Sequence, residues 1–169
     1  MTKSTLQRLE EKLEQIESGA RPKGNISLLG RGIRYLSMRE HSEAELRKKL
    51  SPHAISEEEL ENAILKLKVK NFLSNERFTE NLVHKKSQGL GLYRLAQEFR
   101  KHELDQEITT QYLKDLKVTE PARALDVWKK KFGTLTNDPK ELAKQIRFLV
   151  SRGFDQELIY RIVRGKTLD

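Results

Sequence analysis

A recurrence of apolar residues about fifty positions apart constrains this chain more than any local motif. Ile55, Leu104 and Phe154 stand 49 and 50 residues apart and anchor three aligned copies. Five residues before each anchor lie Leu50, Phe99 and Leu149. Four or five after come Leu60, Ile108 and Leu158 with Ile159; eight or nine after come Ala63 with Ile64, Tyr112 with Leu113, and Ile162 with Val163. Upstream, at minus 26 and minus 22, are Leu29 and Ile33, Phe78 and Leu82, Trp128 and Phe132. Self-similarity at a fixed period marks a stack of supersecondary units that cannot bury their apolar faces singly. After each anchor comes Ser56, Asp105 or Asp155, residues whose side chains accept from the first free N–H groups of a helix.

Each copy therefore predicts three helices: 27–38, 42–51 and 56–71; 75–87, 92–102 and 105–116; 120–132, 139–151 and 155–164. The breakers between first and second helices are Glu40-His41-Ser42, Gly89-Leu90-Gly91 and Thr136-Asn137-Asp138-Pro139. Ser42 and Glu45 have the spacing of a capping box, Leu46 and Leu50 form the inner face of the helix they open, and Pro52 stops it. Pro139 suits a first helical turn, where a missing N–H leaves no bond unmade. Hinges are expected near Asn71–Asn75 and Lys117–Pro121. Trp128 with Phe132 and Phe78 with Leu82 are expected in the core. Phe148, beside the Ile146/Leu149 face, is expected in the core, with a half-exposed place as the alternative. Ahead of the repeats, Leu6, Leu9, Leu13 and Ile16 form one stripe of a helix over residues 5–17, and Ser18–Gly24 reads as a linker.

Only 36% of residues are hydrophobic and 34% are charged, a supply that suits amphipathic helices sharing narrow cores. The expected fold is all-α: three tandem three-helix repeats (26–74, 75–119, 120–169) in an elongated curved array, preceded by an N-terminal helix and linker over 1–25. With no cysteine, disulfides, thiolate metal sites and a cysteine nucleophile are excluded. The N-terminus has no apolar h-region and no stretch approaches membrane-spanning length, so a soluble cytoplasmic protein is the expectation; a monomer is expected as well. The net charge is +8, and residues 117–169 hold twelve basic against seven acidic side chains. That balance suits a polyanion partner or a solvated, solubilising surface.

At this point the residues resemble a known family. REHSEAELRKKL in the first copy, NFLSNERF at the first junction, QGLGLYRLAQEF in the second and IRFLVSRGF in the third are similar, in order and spacing, to the RecX regulators of the RecA recombinase. The likeness runs from about Gly30 to about Val163. One departure is the turn Gly89-Leu90-Gly91-Leu92, where the family carries an aromatic between the glycines and a proline after them. The resemblance implies a non-enzymatic modulator, usually an inhibitor, that lies in the groove of the RecA–DNA filament and bridges subunits. It implies contact with DNA, single- and double-stranded, and an effect on ATP hydrolysis, strand exchange and co-protease activity.

No catalytic constellation, metal set or cofactor loop emerges from the residues themselves. His41, His53, His84 and His102 are scattered, and Glu98 with His102 reads as a surface i, i+4 contact. Gly89-Leu90-Gly91 lacks the lysine and hydroxyl of a phosphate loop and reads as a turn, with an anion-binding helix start as the outlying alternative. Ser42 reads as a cap and not a nucleophile. The functional candidates are basic: Arg34, Arg39, Lys85, Lys86, Arg94, Lys129, Lys130, Lys131, Arg147 and Arg152, expected to touch filament or DNA. Arginine's planar fork favours phosphate and carboxylate. The rival readings are a stand-alone helix-turn-helix nucleic-acid binder and a protein scaffold indifferent to DNA.

Overall fold

The computed structural model describes residues 26–166. The predicted helix over 5–17 and its linker lie outside them. The described residues form α1 (Leu28–Met38), α2 (Glu43–Leu50), a 3₁₀ turn (Ser51–His53), α3 (Glu57–Val69), α4 (Asn75–Lys86), α5 (Leu92–Lys101), α6 (Gln106–Lys131), α7 (Pro139–Ser151) and α8 (Gln156–Val163). No strand occurs among them, and the expected all-α fold of tandem helical repeats holds.

Three apolar clusters match the three predicted copies. The first contains Leu28, Leu46, Leu50, Leu60, Ile64 and Leu67. The second is built on Phe78, Leu82 and Phe99, and the third on Trp128, Leu149, Phe154, Ile159 and Ile162. Contacts divide the chain into two units, residues 26–39 with 46–73, and residues 40–45 with 74–166; the first cluster lies in one and the other two in the second.

The five-residue spacing before the anchors has a local cause. In the third copy the Phe154 N–H donates to the Leu149 carbonyl at 3.3 Å and Gly153 N–H to Val150 at 2.9 Å, with Gly153 at φ +80°. This is a Schellman cap, which brings the apolar residue after the turn onto the one five positions earlier. The second copy repeats it: Leu104 donates to Phe99 at 3.2 Å and Glu103 to Arg100 at 3.0 Å, with Glu103 at φ +52°. The first copy departs. Pro52 sits inside the 3₁₀ turn and the Ala54 N–H returns to Ser51 at 3.2 Å. The register slips by one residue, so Ile55 is 68% exposed while Ala54 packs on the core. Upstream the same slip makes Leu28 and Gly32 the buried pair instead of Leu29 and Ile33. A Cβ on Gly32 would come within 2.6 Å of Leu67 Cδ1, so glycine is what lets α1 approach α3 this closely.

Of the two junctions expected to be hinges, one is a break between helices and the other is not. At Asn71–Asn75 a third Schellman cap, with Asn71 at φ +58° and Phe72 N–H on Leu67 at 2.9 Å, is followed by Ser74, whose hydroxyl accepts from Arg77 N–H at 3.2 Å. At Lys117–Pro121 there is no break: α6 runs unbroken through Pro121. Proline removes the donor for the Lys117 carbonyl. Beside it, the Leu116 carbonyl accepts from Thr119 Oγ1 at 3.2 Å and from Arg123 Nη2 at 2.9 Å. Side chains thus stitch the helix across the residue that ordinarily ends one.

Candidate functional site

Helix starts are capped largely as the residue types dictate. Ser42 Oγ accepts from Glu45 N–H at 3.1 Å, Ser56 from Glu59 at 3.1 Å, and Asp155 from Leu158 at 3.1 Å. Asp105 holds the N-cap position of α6 without a side-chain cap bond.

Within the first unit, Arg34 and Arg39 lie exposed at the end of α1. Within the second, Lys85, Lys129, Lys131 and Arg147 are exposed and make no ion pair among the described residues. Lys86 and Lys130 are engaged: Lys86 Nζ meets Glu98 Oε2 at 2.7 Å and Lys130 Nζ meets Asp126 Oδ2 at 2.7 Å. The Lys86 ammonium holds Glu98 below the usual carboxylate range against the effect of its partial burial. Arg94 and Arg152 are brought to one place. Gly91 N–H donates to the Arg152 carbonyl at 2.9 Å and Tyr93 N–H to Gly153 at 3.1 Å. Arg152 stacks over Phe148 at 5.0 Å and its Nη1 reaches the Gly89 carbonyl at 3.3 Å. Arg94 Nη1 donates to Gln97 at 3.0 Å. Phe148, half-buried, also meets Phe132 edge-on at 5.4 Å. Trp128 is core, its Nε1–H satisfied by Gln145 at 2.8 Å.

The Gly89-Leu90-Gly91 turn is not an anion site. Leu92 N–H at the start of α5 already donates to Glu120 Oε1 at 2.8 Å, so the chain supplies its own carboxylate there. Burial pushes the Glu120 carboxyl up, opposed by that N–H and by Arg123. A Cβ at Gly91 would fall on the Gly153 carbonyl and the Phe154 nitrogen, which is why this turn carries glycine.

Two clusters escape a reading by linear spacing. Arg123, 8% exposed, donates through Nη1 to the Ser87 and Leu90 carbonyls, each at 2.6 Å, and through Nη2 to Leu116. It ties the end of α4 and the glycine turn to α6. The histidines are less scattered than the sequence implies: Glu45 holds His41 Nδ1 at 3.0 Å and His102 Nδ1 at 3.3 Å. His102 also sits 3.8 Å from Glu98 and edge-on to Phe78 at 4.9 Å. It is therefore no surface contact, and burial lowers its pKa against the pull of both carboxylates. Two i, i+4 spacings, His41 to Glu45 and Glu98 to His102, are the sequence signals for this cluster; that Glu45 joins them is not legible in the spacing. No group of three or more His, Cys, Asp or Glu among the described residues is placed to hold a metal ion. No described helix is long and apolar enough to cross a membrane.

Residues 29–67 match the family description "RecX, first three-helix domain" and residues 119–163 match "RecX, third three-helix domain". The "Regulatory protein RecX" of Ralstonia nicotianae is 44% identical over 146 residues, covering 86% of this chain and 92% of that protein. The chain belongs to the RecX family. The RecX of Neisseria meningitidis serogroup C is 40% identical over 133 residues, 79% of this chain and 86% of the relative. Among solved structures, RecX from Lactobacillus salivarius aligns with TM-score 0.64 at 18% identity, covering 82% of this chain and 93% of that one. A second crystal structure of regulatory protein RecX gives 0.65 at 17%, over 98% and 81%. At that identity the two structures speak for the helical RecX fold.

Proposed function

We propose that this protein modulates the RecA recombinase by inhibition, lying in the groove of the RecA–DNA filament as a binding protein and not an enzyme. It bridges neighbouring recombinase subunits, touches DNA directly, and restrains ATP hydrolysis, strand exchange and the co-protease role. Its place of action is the cytoplasm. The observation that carries this reading is the set of uncommitted cations on a chain of the RecX family. Lys85, Lys129, Lys131 and Arg147 can meet phosphates without surrendering an existing ion pair, and Arg34 has the same freedom. Each phosphate neutralised releases counterions, which is where affinity for a polyanion comes from. Lys86 and Lys130 are weaker contributors, because each would first have to leave a carboxylate 2.7 Å away.

The test is a titration of the protein into RecA filaments on single-stranded DNA at two salt concentrations. ATP hydrolysis and strand exchange should slow, and Lys129→Glu with Lys131→Glu should weaken the effect. Unchanged hydrolysis, strand exchange and filament length at saturating protein would overturn the reading. Steeply salt-dependent binding to bare DNA, with no effect on the recombinase, would favour the stand-alone helix-turn-helix reading instead.

A further inference from the structure

A cleft of about 810 Å³ opens on the second unit, and none of the ten basic residues weighed above lines it. Its walls are apolar, formed chiefly by Leu92, Tyr93, Leu113, Val150 and Phe154. Tyr93 is 64% and Val150 45% exposed, so these faces stand open to a visitor. Four charged residues reach the cleft. Two are carboxylates already bonded to backbone: Glu120 to Leu92 N–H and Asp155 to Leu158 N–H. The other two, Lys114 and Lys117, lie three residues apart on α6, are exposed, and make no ion pair among the described residues. Lys117 acts on Glu120 only through space, favouring its ionised form.

We propose that this cleft seats an acidic amphipathic helix of a partner protein. Two or three of the helix's apolar side chains pack against Leu113, Val150 and Phe154, and its flanking carboxylates face Lys114 and Lys117. Apolar walls gain by shedding water, and a helix supplies anchors at i, i+3, i+4 and i+7 to fill them. Sites of roughly 300–1,000 Å³ hold a cluster of anchors and not a whole helix, so the rest of the visitor lies across the rim. The two ammonium groups set the sign of the visitor: they attract carboxylates and repel a basic segment. A nucleic-acid strand fits less well, because among the walls only Tyr93 offers an exposed aromatic face for stacking. The inference stands apart from the filament reading, since the residues differ and the ligand titrated is a peptide, with DNA only as a competitor.

The experiment titrates the full chain into a fluorescein-labelled designed peptide, a helix with leucines at i, i+3, i+4 and i+7 flanked by glutamates, followed by anisotropy. A peptide with lysine in place of every glutamate is the control. The acidic peptide should bind in the micromolar range and the basic one about tenfold more weakly. Lys114→Glu with Lys117→Glu should invert that order. Val150→Asp, at a half-exposed position, should abolish binding of both peptides without moving the thermal midpoint. Equal affinity for the two peptides, or binding indifferent to the double charge reversal, overturns the proposal. So does displacement of the peptide by oligothymidine, which would give the cleft to nucleic acid, or self-association sensitive to Val150→Asp, which would give it to a second copy.

Discussion

Replacing Arg123 with alanine removes one guanidinium on which the Ser87 and Leu90 carbonyls depend, and one of two side-chain donors to Leu116, which keeps Thr119 Oγ1. Its hydrogen bonds are 2.6 Å to Ser87, 2.6 Å to Leu90 and 2.9 Å to Leu116, and its Nε also donates to Thr119 Oγ1 at 3.2 Å. The residue is 8% exposed, so water cannot readily take over as donor. Each buried acceptor left without a partner costs about 1–3 kcal/mol. Against this, the cost of keeping the guanidinium out of water is recovered, and burial already lowers its pKa. The balance is a loss of about 3–5 kcal/mol, a large share of the roughly 5–15 kcal/mol that holds a protein folded. For a chain of this size the melting temperature should fall by about 6–20 °C. Arg123→Lys keeps the charge but not the planar fork, and should recover less than half of the loss. Circular dichroism during urea and thermal unfolding measures both. A loss below about 1 kcal/mol in Arg123→Ala would refute the stitching of α6 across Pro121.

Gly91→Ala should cost about 2–3 kcal/mol, read as a lowered urea midpoint, because its Cβ would land on the Gly153 backbone; wild-type stability would show that the turn can yield. His102 has a pKa lowered chiefly by burial. Its stabilisation is therefore complete above the unfolded pKa of about 6.5 and is lost as pH falls toward the folded value. Unfolding midpoints measured from pH 8 down to 5 should drop, and the slope should flatten in His102→Gln. If Lys129 and Lys131 contact single-stranded phosphates, replacing both with alanine should shrink the salt slope of DNA binding by about 1.4, roughly 0.7 per cation. An unchanged slope would place those contacts elsewhere.

Much of the helical plan is local in origin, and it is legible for that reason. Leu50, Phe99 and Leu149 are each nearly inaccessible, as their shared column implies. Two of the three owe their spacing to a Schellman cap that acts within six residues. The slip in the first copy is not legible in the apolar spacing, because Pro52 replaces that cap with a 3₁₀ turn, which moves the anchor from Ile55 to Ala54. The basic candidates were identifiable by type, yet Lys86 and Lys130 hold carboxylates that charge counting does not reveal.

Apolar columns and capping residues settle, by themselves, an all-helical chain of repeated units, because helix periodicity and end caps depend on neighbours a few positions away. Only the tertiary structure decides that Pro121 lies inside a helix, that the start of α5 is filled by Glu120 from 28 residues downstream, and that Glu45 gathers His41 and His102. Each of these depends on a polar group that must find its partner once water is excluded. The partner is then whichever side chain the packed helices bring within about 3 Å, however far along the chain it lies.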